Sequence, residues 1–323
     1  MQYKKIIKDA LPSPEQLKKM DEEAAERRKE SWEKLESRAD EISIIDFHTH
    51  IFPKKIAKRA LEHLTEGCRT IPFTGGTEEE LRASMKEAGI GLSVSLPVIT
   101  NPEKVIRINF SAAVQNEKVD ETGILSFAGM HPAAENYRAL LNTIKRLGFK
   151  GIKLHPDFYR IPFDDIQTKR IVDYASELDL IVVTHAGTDI GLYPPVFCTV
   201  DSIVNVVKDV RPAKLVAAHM GGWNNWDEVL DKLAGMDLWY DTAFSIGEIP
   251  WDAPDVNQYH FHQLEDEAFV ELVHKMGVDR VLFATDSPWA EQKDYVNRIN
   301  GMPLSKDEKR RIFAGNAKRL LGL

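Results

Sequence analysis

A closed (β/α)8 barrel preceded by a helical extension is the α/β fold that the sequence predicts. Three observations point to it: short apolar runs spaced along the chain, amphipathic stretches of helical length between them, and one change of composition near residue 40. Eight runs cover residues 42–50, 91–98, 123–132, 151–158, 180–187, 214–222, 238–245 and 281–289. They are rich in Ile, Val, Leu and Phe without strict polar alternation, the pattern of strands covered on both faces in a parallel sheet. An open doubly wound sheet competes for the same pattern, but eight strand–helix units are the number that closes a TIM-type barrel.

The intervening helices are predicted over residues 77–89, 102–119, 135–147, 165–178, 200–209, 226–235 and 265–276, with a last one from 305 to 321. Thr77 with Glu80, and Ser305 with Glu308, have capping-box spacing, in which each side chain satisfies the other residue's backbone N–H. Residues 1–40 carry ten Lys/Arg and ten Asp/Glu around a sparse apolar stripe of Leu17, Met20, Ala24 and Leu35. Mixed charge at helical spacing predicts a solvated helix lying against the rest of the chain. The division is therefore a charged extension over 1–40 and one barrel domain over 41–323.

At 323 residues, 43% hydrophobic and 28% charged, the chain has ample material for a core and is neither disordered nor disulfide-stapled. A formal charge of −8 has the wrong sign for polyanions, so neither nucleic acid nor membrane is an expected partner. Cys68 and Cys198 stand far apart and outside any metal or redox spacing, which fits a reducing compartment. No apolar signal-peptide core opens the sequence, and a cytoplasmic location is the expectation. A homo-oligomer using the first forty residues is compatible with this composition.

Chemistry gathers where the apolar runs end. Six of the ten histidines, His48, His50, His131, His155, His185 and His219, sit at or near the C-terminal ends of predicted strands, and the eighth run ends in Asp286. Side chains at that rim of a barrel converge from strands distant in sequence. Imidazole and carboxylate are the donors that Zn, Mn and Fe take, so His48, His50, His185 and Asp286 are read as ligands of one divalent ion. His219 could instead polarise substrate or carry protons. Lys153 and His155 share strand parity and are assigned to substrate binding or support of the ligands, with a modified bridging lysine as the other reading of Lys153. His131 reads as a rim or structural residue, and His260 with His262 as an ordinary loop pair. Trp223, Trp226, Trp251 and Trp289 lie in rim connections, where they either wall a substrate pocket or cover the core.

DFHTHIFP in the first run, GIKLHP in the fourth, THAG in the fifth, AHMGG in the sixth, ATDSPW in the eighth and the closing IFAGNAKRLLGL together resemble the amidohydrolase superfamily over residues 42–323. The nearest branch is the amidohydrolase-related group, which includes aminocarboxymuconate-semialdehyde decarboxylase and many metal-dependent hydrolases. The resemblance implies a metal, Zn before Mn or Fe, on His48, His50, His185 and Asp286, with His219 as the catalytic imidazole. It further implies hydrolysis of an amide, ester or lactone by a metal-activated water whose proton Asp286 accepts. By their positions at the rim, Lys153, His155, Arg160, Trp223 and Trp289 are the candidate substrate contacts. The GIKLHP segment departs from the decarboxylase and favours hydrolysis. The alternative is decarboxylation of an aromatic or unsaturated carboxylic acid, in which Arg160 holds a carboxylate. A D-x-H-x-H phosphoesterase and a ligand-binding barrel without catalysis are the remaining readings.

Overall fold

The computed structural model describes residues 14–192, 194–253 and 261–323, with side chains from residue 22 onward. The first thirteen residues, the side chains of Leu17 and Met20, and His260 therefore lie outside the described residues. Strands β1 (Ile45–Thr49), β2 (Leu92–Ser95) and β3 (Ile124–Ser126) form one parallel set. A second set, all parallel, runs β4 (Ala128–Gly129), β5 (Gly151–Leu154), β6 (Ile181–Thr184), β7 (Leu215–Ala217), β8 (Trp239–Asp241) and β9 (Val281–Leu282) in sequence order.

The third apolar run supplies both β3 and β4. Phe127 interrupts it, donating its amide to Ser95 O at 2.9 Å, so that β3 pairs with β2 and β4 with β5. The ring closes where Phe47 N donates to Phe283 O at 2.8 Å, Asp286 N to His48 O at 2.8 Å and His50 N to Ser287 O at 2.7 Å. The predicted (β/α)8 barrel is the fold that forms, with every strand buried on both faces as its composition requires.

Fourteen α-helical segments appear among the described residues: α1 (Pro14–Glu36), α2 (Ala57–Cys68), α3 (Glu78–Ala88), α4 (Val105–Asn116), α5 (Val119–Thr122), α6 (Tyr137–Arg146), α7 (Pro156–Tyr159), α8 (Ile166–Glu177), α9 (Val200–Val210), α10 (Trp226–Lys232), α11 (Asp266–Met276), α12 (Gln292–Gly301), α13 (Lys306–Arg310) and α14 (Asn316–Leu321). Both capping boxes are made, with Thr77 and Ser305 accepting from the amides of Glu80 and Glu308 and each glutamate bonding back. Helices α2 and α12 are additions to the sequence expectation. The first buries Ala57, Leu61 and Cys68, and the second carries Gln292 to a buried hydrogen bond with Asp46 at 2.7 Å.

Two apolar layers follow from this winding. One lies between the sheet and the surrounding helices. The other contains Ile45, Phe47, Val94, Val183, Val216 and Leu282 from the strands and Phe127 between β3 and β4, joined by Leu35, Ala317, Leu320 and Leu321 from the two ends of the chain. Thus α1 is more than a solvated face: Ala24, Arg28, Ser31 and Leu35 recur at helical spacing and are all buried. Two of those four are polar, which hides the stripe from a hydrophobic pattern. Ser31 Oγ donates to Asp120 Oδ1 at 2.5 Å, Arg27 Nε to Glu117 Oε2 at 2.7 Å, and Lys150 stacks its ammonium 3.8 Å from the Trp32 ring centroid. Among the described residues no helix is long and apolar enough to cross a membrane.

Candidate metal centre

The end of β1 sets the geometry. In an unbroken strand Phe47 and His48 point to opposite faces, yet Phe47 belongs to the apolar interior and His48 to the polar cluster above it. The register between β1 and β2 shifts between Asp46 and Thr49, an irregularity that re-aims side chains. Buried Asp46 holds the neighbourhood, accepting from Thr285 Oγ1 at 2.6 Å and Thr285 N at 3.0 Å. Burial pushes the Asp46 pKa up to about 7, against lowering by the hydrogen bonds of Gln292 and Thr285.

His48, His50 and Asp286 offer ligand atoms within 4.8 Å of one another. Asp286 Oδ1 lies 3.0 Å from His50 Nε2 and 3.4 Å from His48 Nε2. Each imidazole has its other nitrogen fixed: His48 Nδ1 donates to Asp241 Oδ2 at 2.9 Å, and His50 Nδ1 donates to the Leu96 carbonyl at 2.8 Å. A carbonyl only accepts, so neutral His50 presents a bare lone pair at Nε2. That lone pair faces Asp286 Oδ1, a buried oxygen with no hydrogen-bond donor. Two lone pairs at this distance repel unless a cation lies between them, and two donors each about 2.1 Å from one ion stand roughly 3.0–3.4 Å apart. The residues present therefore fit a divalent ion, and the outer hydrogen bonds are those that orient metal-binding histidines.

The fourth expected ligand, His185, falls in a neighbouring set with His155 and Asp189. Its Nδ1 is 3.0 Å from His219 Nε2, while His219 Nδ1 donates to the Ala243 carbonyl at 2.8 Å. This fixes the tautomers in turn. Neutral His219 can only accept at Nε2, His185 must donate from Nδ1, and His185 Nε2 is left as a buried lone pair without a partner. His219 and Asp286 both adopt left-handed backbone, with φ of 57° and 69°, conformations that non-glycine residues keep where the surroundings enforce them.

Burial is the main influence on charge here. Burial, reinforced by the nearby Lys153 ammonium, holds His48 well below the usual histidine range. Burial also lowers His185 and His219, which favours the neutral form that ligates. Burial alone would raise Asp286, but positive charge at the neighbouring His48, His50 and His219 outweighs it and brings the carboxyl down to about 2, a charge that a divalent ion would supply where these imidazoles are neutral. Lys153 is 1% exposed, and burial lowers it to about 8 against the opposing pull of Asp241 and Asp286. Its Nζ lies 3.1 Å from His48 Nε2, on the inward parity that the sequence assigns it.

The remaining expected residues separate. His155 stacks on His185 at 4.3 Å. Trp223 is a core residue, only 2% exposed, with its indole N–H given to Phe244 O at 2.8 Å, so it has no free polar edge for substrate. Trp289 is half-buried beside Asp286, donating its amide to Asp286 O at 2.9 Å. Arg160 is exposed, with its guanidinium 5.3 Å from the Phe197 ring centroid. His131 packs 4.8 Å from Tyr159 and accepts from Ala133 N, a structural arrangement. His262 is exposed 6.1 Å from Trp226, Trp251 is half-buried, and Cys68 and Cys198 are buried free thiols. Sequence reading missed Asp241 and Asp189. The first was legible as the lone acid in an otherwise apolar run, and the second four residues after His185.

Solved structures share this architecture. An uncharacterised TIM-barrel protein from Bordetella bronchiseptica is 18% identical, with 86% of this chain and 98% of that one covered at a TM-score of 0.63. A 2,6-dihydroxybenzoate decarboxylase from Rhizobium is 15% identical, with 87% and 99% covered at 0.60. A 5-carboxyvanillate decarboxylase from Novosphingobium aromaticivorans, complexed with manganese and 4-hydroxy-3-methoxy-5-nitrobenzoic acid, is 16% identical, with 87% and 96% covered at 0.62. At such identities the likeness is one of fold. No curated protein sequence matches the chain. The sequence profile of a family described as amidohydrolase, however, matches residues 45–323, from the first barrel strand to the last residue and so across every side chain of the centre. By that match the chain belongs to the amidohydrolase family.

Proposed function

We propose that the chain is a divalent-metal-dependent decarboxylase of an aromatic or unsaturated carboxylic acid, with the ion on His48, His50 and Asp286. The carrying observation is Lys153. Its ammonium is buried at the centre, touches His48, and forms no ion pair with a carboxylate among the described residues. Burying an unpaired cation is costly, and a substrate carboxylate supplies the missing counter-charge, whereas a neutral amide or lactone does not. The decarboxylases among the structural neighbours support the same reading, and manganese in one of them places Mn beside Zn as the metal to test.

When bound, the ion supplies Lewis acidity toward a substrate oxygen. Lys153 orients the carboxylate that is lost. The bond from the ring or alkene carbon to that carboxylate breaks, its electron pair stays on carbon, and a proton replaces the departing CO2. That proton comes from solvent, and His219, whose ring lies 5.3 Å from His48 and whose Nε2 accepts from His185 Nδ1, is the group assigned to relay it. His155 and half-buried Trp289 complete the substrate surroundings.

A second reading, hydrolysis of an amide, ester or lactone, is favoured by Asp286, whose Oδ1 has no hydrogen-bond donor and can take a proton from water. The two readings part in one experiment. The Mn- or Zn-loaded protein is given aromatic and unsaturated carboxylic acids in D2O, and amides and lactones in parallel. CO2 release with one deuterium at the vacated carbon supports decarboxylation. Acid formation from a lactone or amide without CO2 supports hydrolysis, and silence in both panels from fully loaded protein overturns both.

A further inference from the structure

Two hydrogen-bond donors at the ends of β4 and β5 have no acceptor among the described residues. Strand register places the first of them. Ala128 and Met130 lie in the apolar layer between the sheet and the helices, as do Ile152 and Leu154 of β5. Gly129 pairs with Lys153, so alternation turns that pair, and His131 as the next residue of the same parity, to the inside of the barrel. His131 is 5% exposed, and its ring packs 4.8 Å from the ring of half-buried Tyr159. Tyr159 Oη in turn accepts from His155 N at 2.7 Å, which holds both side chains beside the polar cluster at the strand ends.

Hydrogen bonding fixes what each group presents. Ala133 N donates to His131 Nδ1 at 3.1 Å, and burial lowers the His131 pKa. The neutral ring therefore carries its proton on Nε2. That N–H meets no acceptor among the described residues, and unlike His155 Nδ1 it is not sealed in protein. Tyr159 uses a lone pair on the His155 amide, and burial raises its pKa well above the usual phenol value. Its O–H stays protonated and its hydrogen is likewise uncommitted. Polar groups in such shielded positions are normally matched by a partner. Here the protein supplies only donors, so the matching acceptor comes from a bound molecule.

We infer that His131 and Tyr159 form a recognition subsite for an oxygen acceptor on the substrate, apart from the carboxylate that Lys153 holds. This deepens the carboxylic-acid reading above and rests on it. The substrate class narrows to acids that carry a further acceptor oxygen, as an oxo, hydroxyl or second carboxylate group, because a hydrocarbon remainder would leave both hydrogens shielded and unmatched. The Ala133 turn gains a purpose as well: it selects the tautomer of His131 that points a donor at the substrate.

Equilibrium binding tests the subsite. Full-length Mn2+-loaded protein is titrated calorimetrically with benzoate and crotonate, and with their oxo-, hydroxy- and carboxy-substituted counterparts; an acid that releases CO2 is compared by kcat/KM instead. Wild type is expected to prefer at least one substituted acid over its parent by about 10-fold, the worth of a good hydrogen bond. His131→Asn keeps an oxygen for the Ala133 amide but is too short to offer the outer hydrogen, whereas His131→Gln offers one at Nε2. The preference is expected to vanish in His131→Asn, to persist in His131→Gln and to shrink in Tyr159→Phe, with binding of the parent acids unchanged in every variant. Retention in His131→Asn with loss in His131→Gln would assign His131 to the turn alone and overturn the subsite, as would equal affinity of wild type for parent and substituted acids. Failure of metal-loaded wild type to bind any acid would overturn the carboxylic-acid reading and the subsite with it, so the two failures are distinguishable.

Discussion

His48 Nδ1 stands 2.9 Å from Asp241 Oδ2, and the same carboxylate accepts the amides of His219 at 2.9 Å and Ala243 at 3.1 Å through Oδ1. One buried side chain at the end of β8 therefore orients an imidazole from β1 and the backbone that carries His219. Such an outer carboxylate fixes the tautomer of a ligating histidine and raises its basicity.

Asp241→Asn keeps the size and loses the charge. It is expected to weaken Mn2+ or Zn2+ binding by about 10- to 100-fold, read by calorimetric titration of metal-free protein. An unchanged Kd would show that Asp241 supports only the backbone.

Lys153→Met removes a buried cation and keeps an apolar stem of similar length. Since no carboxylate among the described residues pairs with Lys153, stability is expected to hold or rise in denaturant unfolding. Activity on a carboxylic acid should fall by about 100-fold or more, a loss of at least ~2.7 kcal/mol of transition-state stabilisation. A strongly destabilised variant with wild-type kcat/KM would reverse this assignment.

Asp157 is buried with Oδ2 unpartnered, and burial raises its pKa to about 6, partly offset by the Phe197 amide. The folded state thus binds the proton more tightly than the unfolded chain. Its contribution to stability is greatest at low pH and falls as pH rises from roughly 4 to 6. Asp157→Asn should remove that portion of the slope, a difference on the order of 2–3 kcal/mol across the window, measured by urea unfolding of both proteins at several pH values. Parallel pH curves would contradict it.

Leu35 is 3% exposed and joins the apolar cluster at the base of the barrel. Leu35→Ala is expected to cost about 2–4 kcal/mol while leaving metal stoichiometry unchanged. A cost below about 0.5 kcal/mol would mark α1 as the solvated appendage that its composition suggests.

The barrel and the identity of the chemical residues at its rim are legible in the order of the amino acids. Strand runs without polar alternation, the two capping boxes, and His48, His50 and Asp286 at run ends are local patterns, and local patterns are legible because burial and backbone hydrogen bonding act on neighbours in the chain. Tertiary structure alone decided the partnerships. The shift in β1 register that turns His48 inward, the hold of Asp241 on it across 193 residues, the burial of Arg28 and Ser31 on the packed face of α1, and the placement of His185 with His155 and Asp189 all depend on which elements become neighbours. Spacing along the chain cannot specify such contacts, because closing the ring fixes them in space: each ligand's role follows from the lone pair that its hydrogen bonds leave free.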